Sequence, residues 1–105
     1  MIAQKKIAEA ASLLQLSAPG ATVILFGSYA RGNAHEDSDL DFLVVEPELG
    51  SSRNESVRLR DVLRPMGLPV DILVTSRRIF EEWSTVPGSV LNQAACEGRI
   101  LGVAS

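Results

Sequence analysis

The sequence has very few of the residues that build disulfide frameworks and nitrogen- or sulfur-ligated metal sites. Its 105 residues include one cysteine, Cys96, and one histidine, His35. The single cysteine excludes an internal disulfide and a cysteine-rich zinc site, and the single histidine excludes a site with several imidazole ligands. A metal ion bound within this chain would therefore take oxygen ligands.

Long apolar runs and an excess of basic residues are also absent. The longest nearly apolar run is residues 21–26, whereas a membrane-spanning helix needs about 20 apolar residues. Polar residues interrupt the apolar stretch near the N-terminus, so it does not fit a signal peptide, and we expect a cytoplasmic protein. Ten Lys and Arg residues against 13 Asp and Glu residues give a net charge of −3. This balance argues against direct nucleic-acid binding, and the short apolar runs argue against a membrane protein.

What remains is a globular composition, with 46% hydrophobic and 22% charged residues. A length near 100 residues predicts one domain over residues 1–105. Hydrophobic periodicity and turn residues predict the order α-β-α-β-α-β-α-α, with a short closing strand over residues 99–103. The other strands are predicted over residues 21–26, 39–45 and 70–75. This order predicts an α/β (α+β) fold with a three- to four-stranded mixed sheet and helices packed on it.

Two aspartates spaced two residues apart lie on a predicted strand. Residues 39–45 read DLDFLVV, so Asp39 and Asp41 point to the same face of a sheet. A third acid, Asp71, lies between apolar residues in the next predicted strand, and it joins the pair if the two strands are neighbours in the right register. Unpaired carboxylates repel one another and resist burial, unless a divalent cation lies between them.

Three convergent carboxylates suit a hard cation. Mg²⁺ prefers carboxylate oxygens and keeps waters and substrate phosphates as further ligands. Such a site can hold two metal ions ~3.5–4 Å apart, the arrangement used for in-line displacement at phosphorus. One ion would lower the pKa of an attacking hydroxyl, the other would stabilise the leaving group, and Asp71 could act as the general base. The spacing thus indicates Asp39, Asp41 and Asp71 as metal ligands and catalytic residues.

Each acid also has a purely structural interpretation. Asp39 at the end of a loop, Asp41 at a sheet edge and Asp71 paired with an arginine would need no ligand. Because buried unpaired acids are rare, the combination of the three favours a cation site over three separate structural roles.

A strand–turn–helix signal precedes the acids. Gly27 and Ser28 interrupt the first strand, and Ser28 is predicted to cap a short helix through Arg31. Glycine at such a turn lets an anion approach the backbone N–H groups, and the Ser28 hydroxyl adds a donor. Arg31 lies on the same helical face and would contact the same phosphates. The alternative is an ordinary capped turn with a solvated arginine, and the acids that follow favour the phosphate site.

The string GSYARGNAHEDSDLDFLVV, residues 27–45, resembles the DNA polymerase β-like nucleotidyltransferase superfamily. In that pattern a Gly-Ser pair is followed by an Asp-x-Asp pair and by a third aspartate on a later strand. The fuller string is similar to the minimal nucleotidyltransferases of prokaryotes, and the resemblance covers about residues 21–75. It implies the polymerase β-like nucleotidyltransferase fold.

The resemblance also implies roles for individual residues. Gly27 and Ser28 would bind the triphosphate of a nucleotide, and Asp39, Asp41 and Asp71 would hold two Mg²⁺ ions, with Asp71 as candidate base. The implied reaction transfers a nucleoside monophosphate, AMP from ATP, to an acceptor hydroxyl and releases pyrophosphate. No position of the motif is altered in this sequence.

A partner follows from the same resemblance. Minimal nucleotidyltransferases include MntA-like antitoxins, which are thought to silence HEPN-domain toxins by adding AMP to a tyrosine hydroxyl. We expect no second domain within these 105 residues to hold an acceptor, so a HEPN-domain protein is the expected partner. Two alternatives stay open. One is an antitoxin that binds nucleotide and acts by occlusion, and the other is a small-molecule nucleotidyltransferase of the antibiotic-modifying kind, with its acceptor cleft shared in a homo-oligomer.

Overall fold

A computed structural model describes residues 1–102, which form five α-helices and four β-strands in the predicted order. In chain order the elements are α1 (Gln4–Ser17), β1 (Thr22–Phe26), α2 (Ser28–Arg31), β2 (Leu40–Glu46), α3 (Ser52–Leu63), a 3-10 turn (Arg64–Met66), β3 (Val70–Ser76), α4 (Arg77–Trp83), α5 (Val90–Glu97) and β4 (Arg99–Gly102). Val103, the predicted end of the last strand, lies outside the described residues. No helix within residues 1–102 combines the length and the apolar character needed to cross a membrane.

The four strands form one mixed sheet in the order β3-β2-β1-β4. Strand β1 is antiparallel to both β2 and β4, whereas β2 and β3 are parallel. Parallel neighbours need a crossover connection, and α3 supplies it between β2 and β3. The prediction of a mixed α/β sheet with up to four strands is confirmed.

Each face of the sheet carries a hydrophobic cluster. The larger cluster packs strand residues such as Leu25, Phe42 and Ile72 against α1 and α3. The smaller cluster packs Ile24 and Leu43 against α4 and α5 on the opposite face. Successive side chains of a strand alternate between these faces. Burying a side chain such as Phe42, which is 0% exposed, contributes about 1.5–3 kcal/mol.

A coupled pair of carboxyl groups lies where β2 ends. Burial, with a hydrogen bond to Glu55 as the next cause, raises the pKa of Glu46 to about 7. The guanidinium of Arg58 donates to both carboxylate oxygens of Glu55, over 2.6 and 2.7 Å, and holds the pKa of Glu55 at about 2. Between these two pKa values Glu46 is protonated and donates to the ionised Glu55.

We expect the native protein to become less stable as the pH rises from about 5 to about 7, and we expect Glu46→Gln to lack this pH dependence. Between the ordinary pKa of 4.5 and the folded value of about 7, the unfolded chain releases the Glu46 proton while the folded chain keeps it. The unfolded state then binds fewer protons, so the free energy of unfolding falls as the pH rises through this range. The glutamine amide keeps a donor toward Glu55 and does not titrate.

Chemical denaturation at several pH values between about 5 and 7.5 measures this effect. The native protein should lose about 1 kcal/mol more stability than Glu46→Gln over the interval, after allowance for solvent screening. Glu48→Gln changes an exposed acid two residues away and should keep the native pH dependence. Identical pH dependence in the native protein and Glu46→Gln would contradict the assignment.

Candidate active site

The predicted carboxylates lie at the start of β2 and β3. Asp41 is the second residue of β2 and is paired in register with Asp71, the second residue of β3. Paired residues of neighbouring strands point to the same face, and the strands lie about 4.7–4.9 Å apart, so Asp41 and Asp71 are neighbouring residues on one face. Asp39 lies one residue before β2, which begins at Leu40 rather than at Asp39 as predicted.

The turn after β1 packs directly on Asp41. Phe26, the last residue of β1, is opposite Asp41 in the antiparallel pair, and Gly27 follows with a φ of 75°. A Cβ atom at Gly27 would collide with Oδ2 of Asp41 and lie 3.1 Å from its Cγ. Glycine is required at this position for two reasons, the positive φ and the close approach of the carboxylate.

Ser28 begins α2 and does not cap it. The N-cap is Gly27, whose carbonyl accepts hydrogen bonds from the N–H groups of Ala30 and Arg31 over 3.1 and 3.0 Å. The predicted cap was therefore wrong by one residue, because the glycine has the non-helical backbone conformation that a cap needs. Ser28 is half-buried in the first turn of a four-residue helix that ends at Gly32 in the left-handed conformation.

Negative charge is concentrated at Asp41. Burial is the largest cause that raises the pKa of Asp41, followed by the charge of Asp71 and then that of Asp39, whereas Arg31 lowers it. The charges of Asp39, Asp71 and Arg31 are therefore close enough to affect the protonation of Asp41. Asp41 is half-buried, but Asp39 and Asp71 are exposed. The expectation of three buried acids is corrected: at the open end of the sheet face, water reaches two of them.

The donor set fits a hard divalent cation, because carboxylate oxygens are its preferred ligands and a cation would relieve the repulsion at Asp41. In the conformation described for residues 1–102, however, no three His, Cys, Asp or Glu side chains are arranged as a metal site. The Asp71 side chain is 67% exposed, and its Oδ1 lies 4.0 Å from Nη2 of Arg60 on α3. Joint binding of a cation by the three acids requires Asp71 to turn from Arg60, which its exposure permits.

Arg31 has a partner that the sequence did not indicate. Its Nη1 donates to Oε1 of Glu97, the last residue of α5, over 2.8 Å, and Nε2 of Gln93 donates to the same oxygen over 2.8 Å. The hydrogen bond from Gln93 is the largest cause that holds the pKa of Glu97 below its usual range, and Arg31 and the backbone of Gly27 add to it. Arg31 and Glu97 are 66 residues apart in sequence, so no local pattern could have paired them.

The loop that leads to Asp39 is anchored at both ends. The Ser38 hydroxyl accepts from the N–H of His35 over 3.0 Å, and the His35 carbonyl accepts from the N–H of Ser38 over 3.0 Å. On the other side, the N–H of Leu40 donates to the carbonyl of Pro69 over 2.9 Å. Asp39 is therefore held between two fixed neighbours. Sequence reasoning assigned Ser38 no such role, although a small hydroxyl residue directly before the acid is a usable signal.

One protein family and one curated relative match this chain. Residues 5–94 match the model of the family described as "Nucleotidyltransferase domain". A Methanocaldococcus jannaschii protein named "Putative protein adenylyltransferase" is 40% identical over 53 residues, which are 50% of this chain and 52% of that protein. The match thus spans about half the length of the curated relative.

Solved structures of nucleotidyltransferases are also similar to this chain. One described as "Structure of putative minimal nucleotidyltransferase" is 32% identical with a TM-score of 0.58, and the match covers 90% of this chain and 89% of that one. Another, a tri-AMPylated Shewanella oneidensis HEPN toxin in complex with an MNT antitoxin, has a TM-score of 0.60 and 18% identity over 96% of this chain and 74% of that one. At such identity the second similarity concerns the fold alone. The chain belongs to the nucleotidyltransferase domain family, and its fold is that of the minimal nucleotidyltransferases.

Proposed function

We propose that this protein is an Mg²⁺-dependent nucleotidyltransferase that transfers AMP from ATP to a hydroxyl group on a partner protein. The observation that carries the proposal is the in-register pair of Asp41 and Asp71, with the Gly27 turn packed against Asp41. The carboxylate oxygens, which would bind cations, lie next to a turn whose glycine leaves room for a phosphate. A site for a nucleoside triphosphate needs both features.

The triphosphate would lie at the turn between β1 and α2. Gly27 offers a close backbone approach, Ser28 offers a hydroxyl donor, and Arg31 offers a guanidinium, which pairs well with phosphate oxygens. These three residues lie within five consecutive positions of the chain. The proposed nucleotide therefore sits on the β1 side of Asp41, and Asp71 lies on the other side of it.

Asp39, Asp41 and Asp71 are the residues that would hold the two Mg²⁺ ions. The ions would neutralise the triphosphate and lower the pKa of the acceptor hydroxyl. Asp41, the most shielded of the three carboxyls, is positioned by its strand and by the Gly27 contact. Asp71 is open to solvent, so a partner can bring a hydroxyl group to it.

The proposed reaction forms one bond and breaks one. The acceptor oxygen bonds to the α-phosphorus of ATP, the bond from that phosphorus to its bridging oxygen breaks, and pyrophosphate leaves. The acceptor proton passes to the carboxylate of Asp71, which acts as general base. The exposed side of Asp71 lies opposite the Gly27 turn across Asp41, as in-line displacement requires of the incoming and leaving oxygens.

The proposed acceptor is a HEPN-domain toxin, with this chain as its antitoxin. Support comes from the Shewanella oneidensis neighbour, in which an AMPylated HEPN toxin is bound to an MNT antitoxin. The name of the Methanocaldococcus jannaschii relative also points to a protein acceptor. Asp39→Asn and Asp41→Asn separate catalysis from occlusion, because occlusion does not need the acids.

We expect the acidic residues to be required for AMP transfer. The purified protein is incubated with α-labelled ATP, Mg²⁺ and the protein encoded by the adjacent gene, and label on that protein is measured. Asp41→Asn should reduce transfer to background, and Asp71→Asn should reduce the rate about 100-fold or more because it removes the general base. Asp61→Asn makes the same chemical change at an exposed residue of α3 and should leave transfer unchanged.

Two outcomes would overturn parts of this proposal. Label that is equal with the native protein and with Asp41→Asn would exclude catalysis by these acids. Native-like silencing of the partner in cells by Asp39→Asn and Asp41→Asn, with no label transferred by the native protein, would establish occlusion instead.

The absence of a side chain at Gly27 is expected to be required for AMP transfer. Gly27→Ala should abolish AMP transfer, because the added methyl group collides with the Asp41 carboxylate and displaces it. Gly32→Ala is the matched control, since Gly32 also has a positive φ, 81°, but a Cβ there meets nothing within 4 Å. Gly32→Ala should lose about 1 kcal/mol of stability in thermal denaturation. Gly27→Ala should lose more, because its φ of 75° and ψ of −156° lie in a region that is essentially restricted to glycine and the methyl group also collides with Asp41. Equal transfer rates in the two variants would contradict the steric role of Gly27.

A further inference from the structure

The last helix brings a negative charge to the groups proposed to bind the triphosphate. The Glu97 carboxylate accepts from Nη1 of Arg31 over 2.8 Å, and the backbone N–H of Gly27 faces the same carboxylate. The pair is partly shielded from water, with 27% of the Glu97 side chain and 39% of the Arg31 side chain exposed. Arg31, one of the proposed phosphate donors, is thus bound to an anion that belongs to the protein.

A carboxylate oxygen and a phosphate oxygen seek the same donors. Each N–H hydrogen makes one strong, well-aligned hydrogen bond at a time, and charge-assisted bonds of this kind are the strongest that arginine forms. A triphosphate at Arg31 would also be repelled by the charge of Glu97 at short range. Glu97 and the triphosphate therefore cannot both use the Nη1 hydrogen of Arg31 that Glu97 holds.

We propose that Glu97 sets the affinity for nucleotide by holding the phosphate-binding guanidinium of Arg31 until a triphosphate displaces it. The inference rests on the proposed function, because it takes Arg31 as a triphosphate ligand. Gln93 makes the displacement feasible. It lies one turn before Glu97 on α5 and donates to Oε1 over 2.8 Å, so the carboxylate keeps a partner after Arg31 has turned to the phosphates.

Nucleotide binding to the full chain tests the proposal. Isothermal titration with ATP in the presence of Mg²⁺ gives the dissociation constant for the native protein and for Glu97→Gln, which keeps the shape of the side chain but removes its charge. The constant should fall about three- to fivefold, as expected for loss of a partly exposed ion pair. Inorganic triphosphate should give the same ratio, because the competition is at the phosphates.

Two controls separate competition at Arg31 from a general effect of charge. Glu9→Gln makes the same change in net charge and removes an exposed pair with Lys6, 3.7 Å apart, and it should not change the affinity. In an Arg31→Ala background the effect of Glu97→Gln should shrink to about twofold or less, because the main contested donor is gone. An undiminished effect in that background would mean that Glu97 acts only through its field, and the proposal would be wrong.

The remaining outcomes distinguish failure of this inference from failure of the proposed function. Failure of the native protein to bind ATP would overturn both proposals. Native binding with an unchanged or weaker affinity in Glu97→Gln would overturn this inference alone, because Glu97 would then position Arg31 and not compete for it. Glu97→Ala, which removes the acceptor as well as the charge, should strengthen binding in the same direction. A partly exposed pair contributes about 1 kcal/mol or less to stability, so thermal denaturation should show both variants folded.

Discussion

The candidate site depends on one register between two parallel strands. Asp41 and Asp71 are neighbours because β2 and β3 pair residue for residue from Leu40 and Val70 onward. A shift of one residue would turn Asp71 to the opposite face, beneath α1 and α3. The shift would also expose Ile72, which is 6% exposed and belongs to the larger core. The hydrophobic core that stabilises the sheet therefore also fixes the spacing of the acids.

The second face of the sheet is covered over only part of its length. Helices α4 and α5 pack on Ile24, Leu43 and Val45. The acids lie at the end of the sheet where β1 ends and where β2 and β3 begin, next to the Gly27 turn. Charged groups placed under the helices would lose their hydration without gaining a partner. The division of this face into a covered apolar half and an open acidic half keeps the carboxylates accessible while the apolar residues stabilise the fold.

Charges around the acids are arranged in loose pairs. Arg60 lies near Asp71, Arg31 is bound to Glu97, and burial, followed by the acidic neighbours, raises the pKa of Asp41. In the proposed function, cations bind the aspartates and phosphates bind Arg31, so each group exchanges a partner within the protein for one supplied by the substrate. Partly exposed ion pairs are weak enough for such an exchange. On this proposal, the affinity for nucleotide depends on the internal pairs as well as on the residues that would contact the phosphates.

The sequence by itself determined the order of the elements, the position of Asp41 on a strand and the family, because alternation within a strand and turn residues are local properties. The Gly27, Asp39 and Asp41 spacing was readable for the same reason. Only the tertiary structure decided that Asp71 lies beside Asp41, that a side chain at Gly27 would collide with that carboxylate, and that Glu97 reaches Arg31. Those contacts join residues 14 to 66 positions apart, and their geometry is set by strand pairing and helix packing, which no local pattern encodes.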